Sequence, residues 1–409
     1  MKLNVANFVS ATILSAQSIA GLQAQETKPA EDLTTFPMQF SIVYPMTTQG
    51  DKTVDYRYHC SFNLFSGKVG AVTGIEFGSL FNHAVWDVTG VQCAGLANRT
   101  LDLTGVQFGG LGNIAKTVKG VQFAGLANIS KSVTGIQYGG LVSISDSIRG
   151  IQFSGIANLC QKATNLQFGG IANMSGYTKG AQFAGIVNLT EKSEGAQFAG
   201  IANISKEVSG ASFSGVLNRT GTLRGCQLGL VNVIDTIESG VSIALINIVK
   251  KGFYDEWALT FADYLNAGLS YKMGTQRFYT IFTAGANFMD DRLWVFGIGF
   301  GNRTPLGRRF DFQPEIVTYQ YFPENFKNVD YVSANHLKFG FVYKLNKRFG
   351  ITVAPSLYFL NNEESENNRT ISPISPFFEY KTGSSNSDPS FKIHRHSFGA
   401  GISIGLALW

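Results

Sequence analysis

A glycine returns every fifteen residues through the middle of this chain: Gly90, Gly105, Gly120, Gly135, Gly150, Gly180, Gly195, Gly210, Gly225 and Gly240, with Asn165 in the one slot that lacks it. A fixed period over so many copies confines the fold to a stack of like units, because a unit this short cannot bury its own apolar face alone. One copy reads Gly120-Val-Gln-Phe-Ala-Gly-Leu-Ala-Asn-Ile-Ser-Lys-Ser-Val-Thr134, and an earlier copy at Gly74 with one extra residue brings the count to twelve. The copies at 225 and 240 and a unit around Asn63 are degenerate, as terminal caps are expected to be.

Within the unit, an aromatic slot holds Phe108, Phe123, Phe153, Phe168, Phe183 and Phe198, and an amide slot holds Asn113, Asn128, Asn158, Asn173, Asn188 and Asn203. Both would form ladders if units stack. Fifteen residues divide into three fives, which predicts three sides of one β-solenoid coil and, at about 4.8 Å per rung, a rod roughly 55–60 Å long. A rival arrangement makes each unit one membrane strand of a single large barrel, with Gln122 and Asn128 facing a lumen. Against it, Leu126 would sit in water, and the connections are of equal length. Moreover, apolar residues such as Leu103, Val118, Val133, Ile148 and Val208 fall in what would be turns, where a solenoid could bury them.

From Trp257 the repeat gives way to longer alternating segments: 263–273, 277–289, 293–301, 310–322, 336–346, 349–360 and 396–409. In the last, Ile402, Ile404, Leu406 and Leu408 share one face, and Gly401, Ser403, Gly405 and Ala407 the other. This is the period-two pattern of a strand between lipid and a barrel interior. Short connections at 290–291 and 346–347 against long ones at 323–335 and 361–395 fit a membrane barrel, and Trp294, Tyr279, Tyr319, Tyr321, Tyr343 and Tyr358 are candidates for interfacial girdles. Segments 36–46 and 55–65 are expected to pair with this C-terminal set. The expected organisation is therefore a signal peptide at 1–24, a flexible leader at 25–35, N-terminal strands at 36–66 that join the barrel, a repeat solenoid at 67–252 and an antiparallel barrel region at 253–409. The fold class is all-β, a solenoid inserted in or joined to an outer-membrane-type barrel.

Lys2, an apolar stretch from Val5 to Leu22 and the small residue Ala24 carry the signal-peptide reading, which implies export. Charge is sparse and balanced, 33 Lys and Arg against 28 Asp and Glu, with no basic block, so nucleic acid is not expected as a partner.

The motif Gly-Val-Gln-Phe-Ala-Gly-Leu-Ala-Asn at 120–128 and its copies resemble a family of bacterial surface-repeat proteins of Gram-negative outer membranes. The resemblance covers residues 60–250 and implies export and an envelope or surface location. It implies no reaction, ligand or catalytic residue.

Other chemistry finds no foothold. Cys93 and Cys226 sit in apolar slots that suit core packing, and about nine rungs of stacking would separate them beyond any disulfide. His394 and His396 share a strand face but lack a companion Cys or carboxylate cluster. There is no phosphate loop or nucleophile elbow, and the final slot of each unit mixes Thr134, Lys119, Arg149 and Glu194 where an ice-binding array needs uniform Thr. The expectation is a non-enzymatic outer-membrane protein with no cofactor and no metal, in contact with membrane lipid. A surface protein or a glycan is the ligand its repeats would present a face to. The alternatives are a porin-like channel with the repeats as membrane strands, and a soluble exported scaffold.

Overall fold

The computed structural model describes residues 5–19, 33–288, 292–323, 332–364, 377–382 and 393–409. The greater part of the leader at 25–35, the connection around Asp290-Asp291 and most of the long connections at 323–335 and 361–395 lie outside the described residues. Two compact units divide the chain, Met1–Gly229 and Leu230–Trp409.

Each repeat supplies a thirteen-residue strand, such as Ala127–Gly139 or Val142–Ser154. Neighbouring strands pair in parallel fifteen residues apart: Gly120 with Gly135, Gln122 with Gln137, Phe123 with Tyr138 and Asn113 with Asn128. This is a β-solenoid; barrel strands of an outer membrane pair antiparallel, so the repeats are not strands of one large barrel. Three corners shape a coil. At the repeat glycine φ lies between +117° and +146° in the copies from 74 to 240, a region where side chains are strained, and a Cβ on Gly135 would meet the Gly120 carbonyl oxygen at 2.0 Å. Asn165 holds the same corner at φ 94°. The second corner is Gly125-Leu126 and its copies, where the chain leaves the strand but keeps its bonding to the coil below, as in Leu126 N to Leu111 O at 2.9 Å. At the third, pairing skips one residue per coil, Lys131 against Asp146 being the example between Ser130–Ser145 and Ser132–Ser147.

The segments at 36–66 belong to this sheet and not to the barrel. Thr34–Val43 pairs in parallel with Tyr56–Val69, which pairs in parallel with Ala71–Gly78. Phe40, Phe62 and Phe77 stack at 5.5 and 6.1 Å, continuing the aromatic ladder of the repeats. A period-two pattern alone cannot say which sheet a strand joins; here the aromatic in phase with the repeats decides it.

Eight antiparallel strands form the barrel, closed by pairing of Tyr254–Ala262 with Ile393–Leu408. Between them run Leu265–Thr275, Phe278–Asn287, Leu293–Gly301, Phe310–Pro323, Val332–Lys344 and Phe349–Glu364. A short strand, Phe378–Thr382, adds to Ile393–Leu408, and Thr304-Pro305 pairs with Phe310–Pro323. Tyr254, Trp409 and the connections at 276–277, 302–309 and 345–348 lie at one end, and the tight turn at 263–264 lies at the other.

A helix, Val5–Ile19, covers the predicted signal segment. Its Ile13 is buried among Ile144 and Leu159, and Gln161 Nε2 donates to Ser10 Oγ at 2.7 Å.

Candidate functional site: buried amide ladders and an apolar exterior

The interior of a solenoid coil is where apolar side chains ordinarily gather. Here it holds the residues Leu103, Val118, Val133, Ile148 and Val208 on one side, as the repeat pattern predicts, and two ladders of amides on the others. Every Asn of the amide slot has its nitrogen fixed as donor by the backbone carbonyl ten residues on, as in Asn113 Nδ2 to Phe123 O at 2.6 Å and Asn173 Nδ2 to Phe183 O at 2.7 Å. The same nitrogen donates to the next Asn, so bonds run up the stack from Asn113 to Asn128 at 3.0 Å and from Asn173 to Asn188 to Asn203 at 3.0 and 2.9 Å. Ser143 interrupts this ladder, and Asn158 Oδ1 is left buried without a donor.

The second ladder consists of glutamines and runs the opposite way. Gln197, Gln182, Gln167, Gln152, Gln137, Gln122 and Gln107 each donate from Nε2 to the Gln below at 2.6–3.1 Å. It ends on a carboxylate: Gln92 Nε2 donates to Glu76 Oε2 at 2.7 Å, while Ser61 Oγ and Asn63 Nδ2 donate to Oε1 at 3.3 and 3.1 Å. Both Glu76 oxygens accept here, which matches the direction in which Gln92 and the ladder above it donate. Because the two ladders oppose each other, their amide dipoles largely cancel, which keeps a long polarised stack from carrying a net field. Removal from water raises the Glu76 carboxyl to about 7 against the lowering effect of its three donors. Burial likewise pushes the Cys160 thiol up to about 12, and burial with Arg99 and Lys68 nearby takes His83 down to about 4.

With the interior largely polar, the exterior is apolar on two of three sides. Phe108 and Phe123 stack at 5.2 Å, Phe153, Phe168, Phe183 and Phe198 at 4.9 Å each. Their faces lie against one another within 11° of parallel, so the ladder presents ring edges outward. Beside them, over a floor of Gly155, Gly170 and Gly185, runs an open groove of about 650 Å³, and a second of about 500 Å³ continues it from Phe77 to Tyr138. Next comes the corner ladder, Leu111, Leu126, Leu141, Ile156, Ile171 and Ile186, all 42–46% exposed. The side after it carries Ile129, Ile144, Leu159 and Leu189 outward. Charge lies mostly on the remaining corner and side, at Lys119, Lys131, Arg149, Lys162 and Lys179, with Arg99 and Arg219 standing in the Ile129 slot toward the two ends of the ladder. Residues 97–228 hold eleven Lys and Arg against five Asp and Glu, a net of +6, which exceeds the +5 of the entire chain.

The barrel shows the same inversion. Outward go Trp257, Leu259, Trp294, Phe296, Ile298 and Phe341, all exposed, and Ile402, Ile404, Leu406 and Leu408 with them as the alternation predicts. Inward, one half holds an ion cluster: Lys272 Nζ lies 2.8 Å from Glu256 and 2.6 Å from Glu315, and Arg303 lies 2.7 Å from both Glu256 and Asp311. The Trp409 ring sits 4.1 Å from the Arg303 guanidinium. The other half is filled by Tyr264, Tyr319, Tyr321, Tyr358, Val295 and Leu360. Tyr279, Tyr319, Tyr321 and Tyr358 therefore fill the barrel instead of forming a girdle, because strand phase and not sequence proximity to a strand end decides the face.

In the aromatic slot the rings stack from Phe108 to Phe123 and from Phe153 to Phe198 and tilt by 45° and 44° on either side of Tyr138, and in the amide slot the side-chain bonds run from Asn113 to Asn128 and from Asn158 to Asn203, broken at Ser143. Cys93 and Cys226 occupy outward, half-buried positions and not the core; Cys160 is the cysteine in the interior, and all four are free thiols. Sequence reading missed the glutamine ladder and its Glu76 terminus. The signal was present, since Glu76 stands where Gln92, Gln107 and Gln122 follow at the third position of successive units. His394 lies on the strand Ile393–Leu408 with His396, whose Nδ1 is 2.7 Å from Asn361 Oδ1, and no metal-holding group of His, Cys, Asp and Glu occurs among the described residues. No protein-family model, no curated protein and no solved structure matches this chain.

Proposed function

We propose that this chain is an outer-membrane protein of a Gram-negative envelope, exported by residues 1–24, in which the eight-stranded barrel is an anchor and the solenoid a non-catalytic scaffold. One observation carries the reading: the barrel is apolar outside and charged inside. In water every exposed apolar Å² costs about 25 cal/mol, whereas in hydrocarbon that surface is matched and a closed barrel leaves no backbone edge unpaired. Strands of 9–16 residues are long enough to cross. The ion cluster and the packed tyrosines fill the interior, which favours an anchor over a conducting pore.

The test is on the full chain. The expected results are resistance to alkaline carbonate extraction, a gel mobility that shifts on heating, and quenching of Trp257 and Trp294 fluorescence by brominated lipids. A chain that stays in solution without detergent, with both indoles reached only by aqueous quenchers, overturns the reading.

A further inference from the structure

The barrel accounts for anchoring but leaves the apolar exterior of the solenoid without a role. We propose that the solenoid lies lengthwise on an anionic bilayer surface, its Leu126-type corner and the two sides meeting there among the acyl chains, its charged corner among the headgroups. This rests on the anchor reading and extends it to a second membrane-contacting surface.

Three observations favour lipid as the occupant. First, the apolar surface is a wedge: the Phe ladder on one side, the Leu and Ile corner at the apex, and Ile129 on the other side, where the helix Val5–Ile19 lies over Ile144 and Leu159. With amides inside and hydrocarbon outside, the coil repeats the polarity of the barrel in the same chain. A wedge of this kind reaches the depth of about 5–10 Å at which interfacial amphipathic elements sit. Second, charge is complementary to anionic headgroups. The net +6 of residues 97–228 leaves −1 for the remainder, and none of the segment's lysines and arginines stands at the apex; most border the apolar sides, and Arg99 and Arg219 stand toward the ends of the Ile129 side. Third, the last coil lies against the outer face of the barrel. Within the second compact unit, Thr280 points outward from its strand yet is buried, and its Oγ1 donates to the Ala244 carbonyl of the last solenoid coil at 2.7 Å. That coil leaves Ile246 and Ile248 exposed.

A glycan is disfavoured by the ring geometry, since sugars pack on aromatic faces and these faces are occupied by neighbouring rings. The helix Val5–Ile19 covers Ile144 and Leu159, and removal of the export signal would uncover them for lipid.

The experiment uses the full chain in vesicles of phosphatidylethanolamine and phosphatidylglycerol. Single cysteines are placed in a background of Cys60→Ser, Cys93→Phe, Cys160→Ser and Cys226→Ala, each variant being checked by circular dichroism. A fluorophore at Ile186→Cys on the corner is expected to be quenched by acyl-chain spin labels and shielded from iodide, like one at Ile298→Cys on the barrel wall. One at Lys131→Cys is expected to respond to iodide. Replacing phosphatidylglycerol with phosphatidylcholine should weaken lipid quenching at position 186 at least twofold while leaving position 298 unchanged. Iodide access at 186 equal to that at 131, with 298 still quenched by lipid, overturns this inference and leaves the anchor intact. Iodide access at 298 overturns the anchor reading, and the response at 186 still decides whether the solenoid meets lipid.

Discussion

Ser143 is the one position where the asparagine ladder can be repaired, and the repair has a calculable size. Asn158 Oδ1 is buried without a donor because the coil below offers a hydroxyl, engaged with Phe153 O at 3.2 Å, where others offer an amide. Space for the larger side chain is already there. Asn113 and Asn173 lie over Gly109 and Gly169, where an added Cβ would come within 2.7 and 2.8 Å of their Oδ1 atoms, and Ser143 lies over Gly139 in the same relation. Ser143→Asn should therefore restore the bond to Asn158, accept from Asn128 and keep the bond to the Phe153 carbonyl. Satisfying a buried orphan acceptor and adding a neutral bond is worth roughly 2–3 kcal/mol, and ordering the asparagine costs about 1 kcal/mol, for a net gain of about 1–2 kcal/mol. A stack held by nearest neighbours opens locally, so the gain should appear as amide exchange slowed roughly 5- to 30-fold in peptides from 126 to 170, measured on the full chain by mass spectrometry. Unchanged or faster exchange there, with barrel peptides unaffected, would refute the claim that the ladder is an energetic unit.

Three further outcomes follow from particular residues. Glu76, with its carboxyl raised from 4.5 to about 7 in the fold, binds more protons folded than unfolded across that range, so the stability of the N-terminal coils is full below about 4.5 and declines as pH rises through 7, by up to about 3 kcal/mol; exchange in peptides 56–98 should speed up from pH 5 to pH 8 beyond its intrinsic dependence, and Glu76→Gln should flatten this. Gly135→Ala forces a Cβ against the Gly120 carbonyl at φ 136° and should lower local stability by 3 kcal/mol or more in rough terms, whereas Asn165→Gly relaxes the strained corner at φ 94° and should be neutral or stabilising by about 1 kcal/mol, both read by exchange across the altered coil. Glu256→Ala leaves Lys272 and Arg303 buried without their shared carboxylate, which should cost about 3–5 kcal/mol and lower the temperature at which the barrel loses its compact gel mobility; an unshifted transition would mean that the cluster is not a stabilising unit.

The sequence by itself determined the stack. A fifteen-residue period with glycine at one corner, an aromatic and an asparagine in fixed slots, and a valine-type residue in what might have been a turn admits few other solutions, because identical side chains brought into register must either bond or pack with their own copies. The alternation of the final strand likewise fixed which of its residues face outward. Tertiary structure alone decided where period-two segments go: residues 36–66 joined the solenoid because parallel pairing carries Phe40 and Phe62 into line with Phe77, a condition invisible to a local pattern. It also decided which face is inside. Gln122 and Asn128 read as surface residues on hydropathy alone, yet in a stack each amide finds its partner one rung away, so burial satisfies them and the hydrocarbon of Phe123 and Leu126 is left to face outward.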